Sequence, residues 1–347
     1  MRYYDISITD PKSGKRIGYW STFPNGKNDP AAADVEIDIP VTAADAPMSG
    51  AALRIWGVSR DIIAEAKNWN PVNEDFTAAK QIVILGGMQK GLPLAMPNQA
   101  GTLCKGAIIQ AFGNWIGTEM TLDLVFTVGP QMVQTKTPGG QTSPFSISLS
   151  NAKGVALSDL LFYTFRDYFP TLDPVVNLQK DYILASDVKG YYNSLKEFAT
   201  YIRALSKSLN TSPDYPGIAI YVDNGQIIAS DQALPAAQGI TSLPTTTVTA
   251  SAIKEILYTD LVGQITYIGT NTASITVIMR GDLKIQQTIS LPKGQATVGP
   301  WYAYRNGMTF DGNWKIIALR HVGRLRNPSG MSWVTVITAT TEVPNGG

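Results

Sequence analysis

The sequence predicts a mainly β protein with a small α+β middle. Three observations carry this. Hydrophobic residues recur at every second position in many short runs, the period of a half-buried strand. Helical spacing is confined to a few stretches, the longer of them in the middle of the chain. Gly, Pro and Asn punctuate the β runs at intervals that suit turns of a small barrel or sandwich.

The elements follow in order. In Tyr4–Ile8 and Val35–Ile39 apolar and polar residues alternate; Leu53-Arg-Ile-Trp is a short mixed strand. Arg60–Lys67 reads as a two-turn helix with Ser59 as its N-cap. Strands return at Gln81–Gly87, Leu103–Phe112 and Met120–Thr127, broken by Gly86-Gly87, Pro93, Pro97, Gly101 and Gly113. Gln131–Ser143 reads as a Thr/Gly/Pro/Gln linker. Ser158–Phe169 is predicted helical and is stopped by Pro170. A second helix is predicted over Val188–Leu209, capped by Asp187, with Tyr192, Leu195, Phe198, Ile202 and Leu205 as one stripe. Ile218–Val222 and Gln226–Ser230 flank Asp223-Asn-Gly, a strong hairpin signal. Residues 231–252 form a Pro/Ala/Thr-rich connector, after which strands are predicted at Ile265–Ile268, Ser274–Met279 and Leu283–Leu291.

The chain closes on Asp311–Thr341, read as strand, turn, strand around Asn327-Pro-Ser-Gly. Trp314, Ile316, Ala318 and Arg320 alternate with Lys315, Ile317, Leu319 and His321. Trp333, Thr335 and Ile337 alternate with Val334, Val336 and Thr338. This hairpin carries the only histidine, His321, among Arg320, Arg324 and Arg326, and is expected to present a charged strand edge to a partner. With Lys284 and Lys293, these arginines are expected to give the C-terminal part a positive face. Ordinary solubilising charge is an equal explanation.

Three units are therefore expected: residues 1–150, β; residues 151–244, mixed α+β with its connector; and residues 245–347, β. A length of 347 residues suits two or three domains. Charged residues make up 16% of the chain, below the usual ~25%, as expected where large surfaces are buried in subunit contacts. A net charge of +1 offers no global field for nucleic acid, so no sequence-specific nucleic-acid binding is expected. The N-terminus, MRYYDISITD, lacks the pattern of a signal peptide. No apolar run approaches the ~18 residues of a membrane span, so no membrane anchor is expected.

The chemistry expected is sparse. One cysteine, Cys104, within a strand, reads as a buried small hydrophobe in a chain that folds in a reducing compartment. One His and one Cys make zinc and iron–sulfur sites untenable, and no acidic loop has calcium-binding spacing. No Gly-x-Ser-x-Gly elbow or phosphate-binding loop is present. Gly86-Gly-Met-Gln-Lys-Gly91 lacks both the spacing and the following helix. No catalytic residue, cofactor or metal is expected. The competing enzymatic reading is a tail-associated glycan or peptidoglycan hydrolase, for which Asp123, Glu119 and Asp311 would be arbitrary carboxylates. A monomeric carbohydrate-binding β protein is a third reading.

Several runs together resemble a known family. Leu257-Tyr-Thr-Asp-Leu-Val-Gly-Gln-Ile-Thr-Tyr-Ile, Ile278-Met-Arg-Gly-Asp-Leu, Ile289-Ser-Leu-Pro, and Gly312-Asn-Trp-Lys-Ile with His321 and Trp333-Val-Thr are similar to the baseplate hub proteins of tailed bacteriophages. The first half adds Leu53-Arg-Ile-Trp-Gly-Val, Ile82-Val-Ile-Leu-Gly-Gly-Met, Gly91-Leu-Pro-Leu, Gly113-Asn-Trp and Glu119–Phe126. The resemblance implies two tail-tube-like β-barrel or sandwich domains flanking the helix-containing one. It implies a structural, non-enzymatic ring, a homotrimer of pseudo-sixfold symmetry, joining the tail tube to the central spike and lining the genome-delivery channel. The partners implied are further copies of the chain, a tail tube or tube-initiator protein, a spike or tip protein and a tape-measure protein. The location implied is the virion tail, assembled in the host cytoplasm. The interface residues expected on the closing hairpin and the second helix are Tyr192, Phe198, Ile202, Trp314, Arg320, His321, Arg324 and Trp333. Seven tryptophans and fifteen tyrosines supply interface anchors or core.

Overall fold

The structure, a computed structural model, describes residues 1–41, 49–71, 79–88, 96–116, 118–128, 146–169, 172–210, 212, 215–223, 225–231, 253–269, 272–292 and 313–341. The linker expected at Gln131–Ser143 and nearly all of the connector at 231–252 lie outside these residues.

The first segment holds β1 (Arg2–Thr9), β2 (Arg16–Ser21), β3 (Val35–Val41), β4 (Ser49–Trp56), α1 (Arg60–Ala66), β5 (Gln81–Met88), β6 (Gly101–Ile116) and β7 (Glu119–Val128). β1 and β3 form where period-two alternation lies, while β2 is a strand the sequence reading does not contain. Tyr4, Ile6 and Ile8 of β1, and Val35, Ile37, Ile39 and Val41 of β3, are buried. Helix α1 starts where expected, with the Ser59 hydroxyl accepting from the Ile62 amide.

The middle segment holds β8 (Ile147–Asn151), α2 (Leu157–Tyr168), β9 (Asp173–Asn177), β10 (Val188–Tyr192), α3 (Leu195–Leu209), β11 (Ala219–Asp223) and β12 (Gln226–Ser230). Strand β10 pairs antiparallel with β8; β12 pairs antiparallel with β11 and parallel with β9. The parallel pair needs a crossover, and α3 lies within it.

The helix expected over Val188–Leu209 is shorter than predicted. Val188–Tyr192 is a strand, because β-branched and aromatic residues around Gly190 favour an extended ladder and Ile147–Asn151 supplies the partner. The true cap is Ser194. Its hydroxyl accepts from the Glu197 amide at 3.2 Å, and the Glu197 carboxylate accepts from the Asn193 amide at 2.9 Å. Asp187 instead accepts from the Lys153 amide at 2.9 Å.

The last segment holds β13 (Lys254–Glu255), β14 (Thr266–Tyr267), β15 (Thr272–Ile278), β16 (Thr288–Ser290), β17 (Asn313–Arg324) and β18 (Trp333–Thr341). The strand expected over Leu283–Leu291 is reduced to β16. A turn intervenes, in which the Gln287 amide donates to the Lys284 carbonyl and Gln286 sits at φ 67°. Leu283, Ile285, Ile289 and Leu291 are still buried, so the hydrophobic signal was one of burial rather than of pairing.

The first and last segments form one sheet in the order β14-β15-β18-β17-β3-β4-β7-β6-β5-β1-β2, with β16 also on β17 and β13 on β16. The join is β17. One side pairs with β18 along most of its length. The other pairs with β16 at Asn313–Lys315 and with β3 at Leu319–Arg324. A bulge between Ile316 and Ala318 separates the two halves and shifts the side-chain phase. Simple alternation places Trp314, Ile316, Ala318 and Arg320 on one face. Across the bulge, Trp314 and Ile316 instead share the buried face with Leu319 and His321, and Arg320 turns outward. One hydrophobic cluster runs from Tyr4 through Phe126 and on from Ile256 to Ala339; a second fills the middle segment.

Candidate functional site

Of the eight residues expected at an interface, five are buried in the chain itself. Phe198 and Ile202 lie on the face of α3 that packs in the middle core, where Phe198 meets the edge of Phe165. Trp314, His321 and Trp333 belong inside the sheet. The closing hairpin is no edge: β17 lies between β18 and β3, and β18 between β17 and β15. Only Tyr192, Arg320 and Arg324 reach solvent. Tyr192 stacks against Phe198 and Tyr201.

His321 opens a buried polar chain that ties the two β segments together. The Thr335 hydroxyl accepts from the Arg280 amide at 3.0 Å and lies 2.9 Å from His321 Nδ1. The same hydroxyl donates to the Arg280 carbonyl at 3.4 Å, so it is tied to both backbone groups of Arg280 as well as to the ring. Arg280, 3% exposed, holds Asp282 through Nε and Nη2, both at 2.9 Å, and Asp260 through Nη1 at 2.9 Å. The Gln99 side chain, from the first segment, donates to the other oxygen of Asp260 at 3.1 Å. Beside it Trp333 Nε1 donates to the Gly87 carbonyl at 3.0 Å and the Gly281 amide to the Gln99 carbonyl at 2.9 Å.

Gly101 and Gly281 are backbone to backbone at this seam. A Cβ on Gly281 would lie 2.5 Å from the carbonyl atoms of Gly101. Gly281→Ala is therefore expected to force the segments apart at a cost of about 2–3 kcal/mol. A urea melt of the full chain checks this; an unchanged midpoint would contradict the packing. Arg280-Gly-Asp282 after an apolar strand was the available sequence signal. Its partners, Gln99 and Asp260, are too far apart in sequence to be joined by reading.

The outward face of the sheet is charged but balanced. Register places Arg324 opposite Glu36, Glu36 opposite Arg54, and Arg54 opposite Asp123. Arg54 grips Asp123 through Nε at 2.5 Å, Arg324 grips Asp34 at 2.8 Å, and Arg320 grips Asp38 at 2.6 Å. The Arg320 pair holds the Asp38 carboxyl below its ordinary range. Trp56 lies between the Arg324 and Arg54 guanidinium groups, at 4.1 and 5.7 Å. The positive face expected from the arginines is thus neutralised by β3 and its preceding loop, which bring Asp34 and Asp38 across. Lys293 lies outside the described residues.

Beside this face is a cleft of about 790 Å³. Tyr19, Trp20 and Trp56 give it aromatic walls, and Asp29, Asp34 and Glu119 give it carboxylates; Arg324 and Arg326 complete it. Arg326 donates to the Ala32 carbonyl at 2.6 Å, and its amide to Asp34 at 3.0 Å.

Several titratable groups among the described residues are bound into the structure. Burial pushes His321 down to about 3, with Lys284 adding to the effect, so its ring is neutral and sealed. Burial pushes the Cys104 thiol up, the state of an inert cysteine. Asp123 is buried in its pair with Arg54. Glu119 is exposed on the β6–β7 hairpin, and Asp311 lies outside the described residues. Asp231 is raised by burial, but its carboxylate accepts from the Gln179 amide and the Tyr182 and Tyr215 hydroxyls inside the middle core. Among the described residues, no group of three His, Cys, Asp or Glu side chains could hold a metal ion, and no helix is long and apolar enough to cross a membrane.

No family model and no curated protein matches the chain. Among solved structures, a tail protein from Neisseria meningitidis MC58 aligns over 98% of this chain and 97% of its own, at 10% identity and a TM-score of 0.49. The 43 kDa tail protein of prophage MuSo2 from Shewanella oneidensis aligns over 97% of each chain, at 10% identity and a TM-score of 0.47.

Proposed function

We infer that the chain is a structural hub of a phage-type tail. Copies of it close into a ring, a homotrimer of pseudo-sixfold symmetry, that joins the tail tube to the central spike and lines the channel for the genome. The observation that carries this reading is the split strand β17, which pairs with β16 at one end and β3 at the other. One chain thereby holds two β modules side by side in one sheet, as three chains must if they are to offer six modules to a hexameric tube. The sheet order ends at β2 and β14, so different edges face outward at its two ends. Unlike edges suit the heterologous contacts that close rings. The balanced charge of the outer face suits a surface that passes nucleic acid without holding it. The proposed partners are the tube or tube-initiator protein on one side and the spike or tip protein on the other, with the tape-measure protein within the channel.

Light scattering over a range of concentrations, with imaging of the particles, tests the reading. Three copies in a closed ring are the expected result. A strict monomer that also fails to bind a tube subunit would overturn it.

A further inference from the structure

The β1–β2 hairpin has a charged patch near each end, in which Lys12, Lys15, Asp29 and Glu119 form no ion pair among the described residues. Its turn is basic. Residues 11–16 are exposed, and the Lys12 and Lys15 ammonium groups have no carboxylate partner among the described residues. The one acid nearby, Asp10, is taken by Lys80 Nζ at 3.0 Å and by the Ser13 hydroxyl at 3.0 Å. The turn is tight, closed by the Gly14 amide on the Asp10 carbonyl with Gly14 at φ +67°.

At the other end of the hairpin lies the cleft. Its carboxylates outnumber its guanidinium groups, and Asp34 is the acid that Arg324 holds. Among the described residues the Asp29 carboxylate accepts from the Ala31 amide, and neither Asp29 nor Glu119 has an ion pair. Arg326 is committed to backbone carbonyls. The aromatic walls are of the kind that takes a cation on its face, as Arg16 already lies 4.2 Å over Tyr19. Cleft and turn are complementary in charge, and among the described residues Lys12 and Lys15 form no ion pair with the cleft's carboxylates, although Arg16 beside them lies over the Tyr19 wall.

We propose that the cleft receives the Lys12/Lys15 turn of a second copy of this chain. The inference deepens the ring reading above and rests on it. The two patches differ, so the contact runs head to tail and leaves a free turn and a free cleft at the ends until the assembly closes. An ammonium group between Asp29 and Glu119, against aromatic faces, gives the contact its polarity and makes it weaken with salt.

The test uses the full chain and sedimentation velocity. K12E/K15E and D29K/E119K each reverse one patch at surface positions. Each alone is expected to weaken self-association at least tenfold. Mixing the two variants is expected to restore pairing of unlike copies into dimers and open trimers, because each then offers what the other lacks, while a closed ring of three keeps one mismatched contact and is not restored. As a second readout, K12C and D29C in one chain are expected to give disulfide-linked ladders of copies, since the native Cys104 is buried. Unchanged mass in both reversed variants, with no ladders, overturns the contact and leaves the ring reading standing. A wild type that never self-associates overturns the contact. So do reversed variants that lose only the binding of a tube or spike protein.

Discussion

Arg280→Met is expected to destabilise the protein by about 3–5 kcal/mol, because it leaves buried Asp260 charged without its guanidinium partner and Asp282 with only Lys254, 3.4 Å away. Arg280 and Asp260 are almost fully buried, and Asp282 nearly so. In the wild type the guanidinium meets two carboxylates and the Glu255 carbonyl. Methionine fills the space and makes none of these bonds. Adding Asp260→Asn and Asp282→Asn should return part of the loss, since neutral amides still hydrogen-bond and no longer need a counter-ion. Denaturant midpoints of the three chains measure both effects. A loss below about 1 kcal/mol would show that the seam does not depend on this cluster. The consequence is functional, since Gln99 connects the cluster to the first β segment. In the proposed ring, a subunit whose two modules came apart would lose the fixed angle between them.

Acid should act at the same seam through His321. Its folded-state value, about 3, lies below its ordinary 6.5. Between these values the unfolded chain binds a proton that the folded chain refuses, so the unfolded state gains as pH falls. The contribution of a neutral His321 is present above pH 6.5 and is lost progressively down to about pH 3. The expected loss is about 2 kcal/mol at pH 5 and about 4 kcal/mol at pH 3. The His321→Gln variant keeps a hydrogen-bonding side chain and cannot titrate, so the difference between the two stability–pH curves isolates the histidine. That subtraction removes the contributions of Asp38, whose depressed carboxyl adds acid sensitivity at lower pH, and of buried Asp231, whose raised carboxyl opposes it. Parallel curves between pH 7 and 4 would mean that the ring is hydrated in the folded protein.

Local order was largely legible. Alternation in β1, β3 and β7, the Ser59 cap of α1 and the Asp223–Gly225 turn each depend on neighbours a few residues away, and each lies where the sequence indicates. The misreadings share a cause. Val188–Tyr192 satisfies a helical stripe and a strand about equally well, and only pairing with β8 decides for the strand. The bulge in β17 cannot be seen in a run whose two phases are both apolar, so alternation alone sets His321 opposite Trp314 and Ile316, whereas the bulge puts all three on one face. The exposed arginines looked like a positive field because Asp34 and Asp38, almost three hundred residues away, were not yet beside them.

The sequence by itself determined the mainly β character, the helical middle, the turns and the poverty of catalytic groups. These follow from composition and short-range periodicity. Tertiary structure decided that the outer β segments share a sheet, that His321 is a core residue, and that the aromatic cleft and the basic turn stand at opposite ends of one hairpin. Those facts depend on which strands pair across hundreds of residues. A strand's hydrogen-bonding groups are the same whatever its partner, so its own residues cannot name that partner.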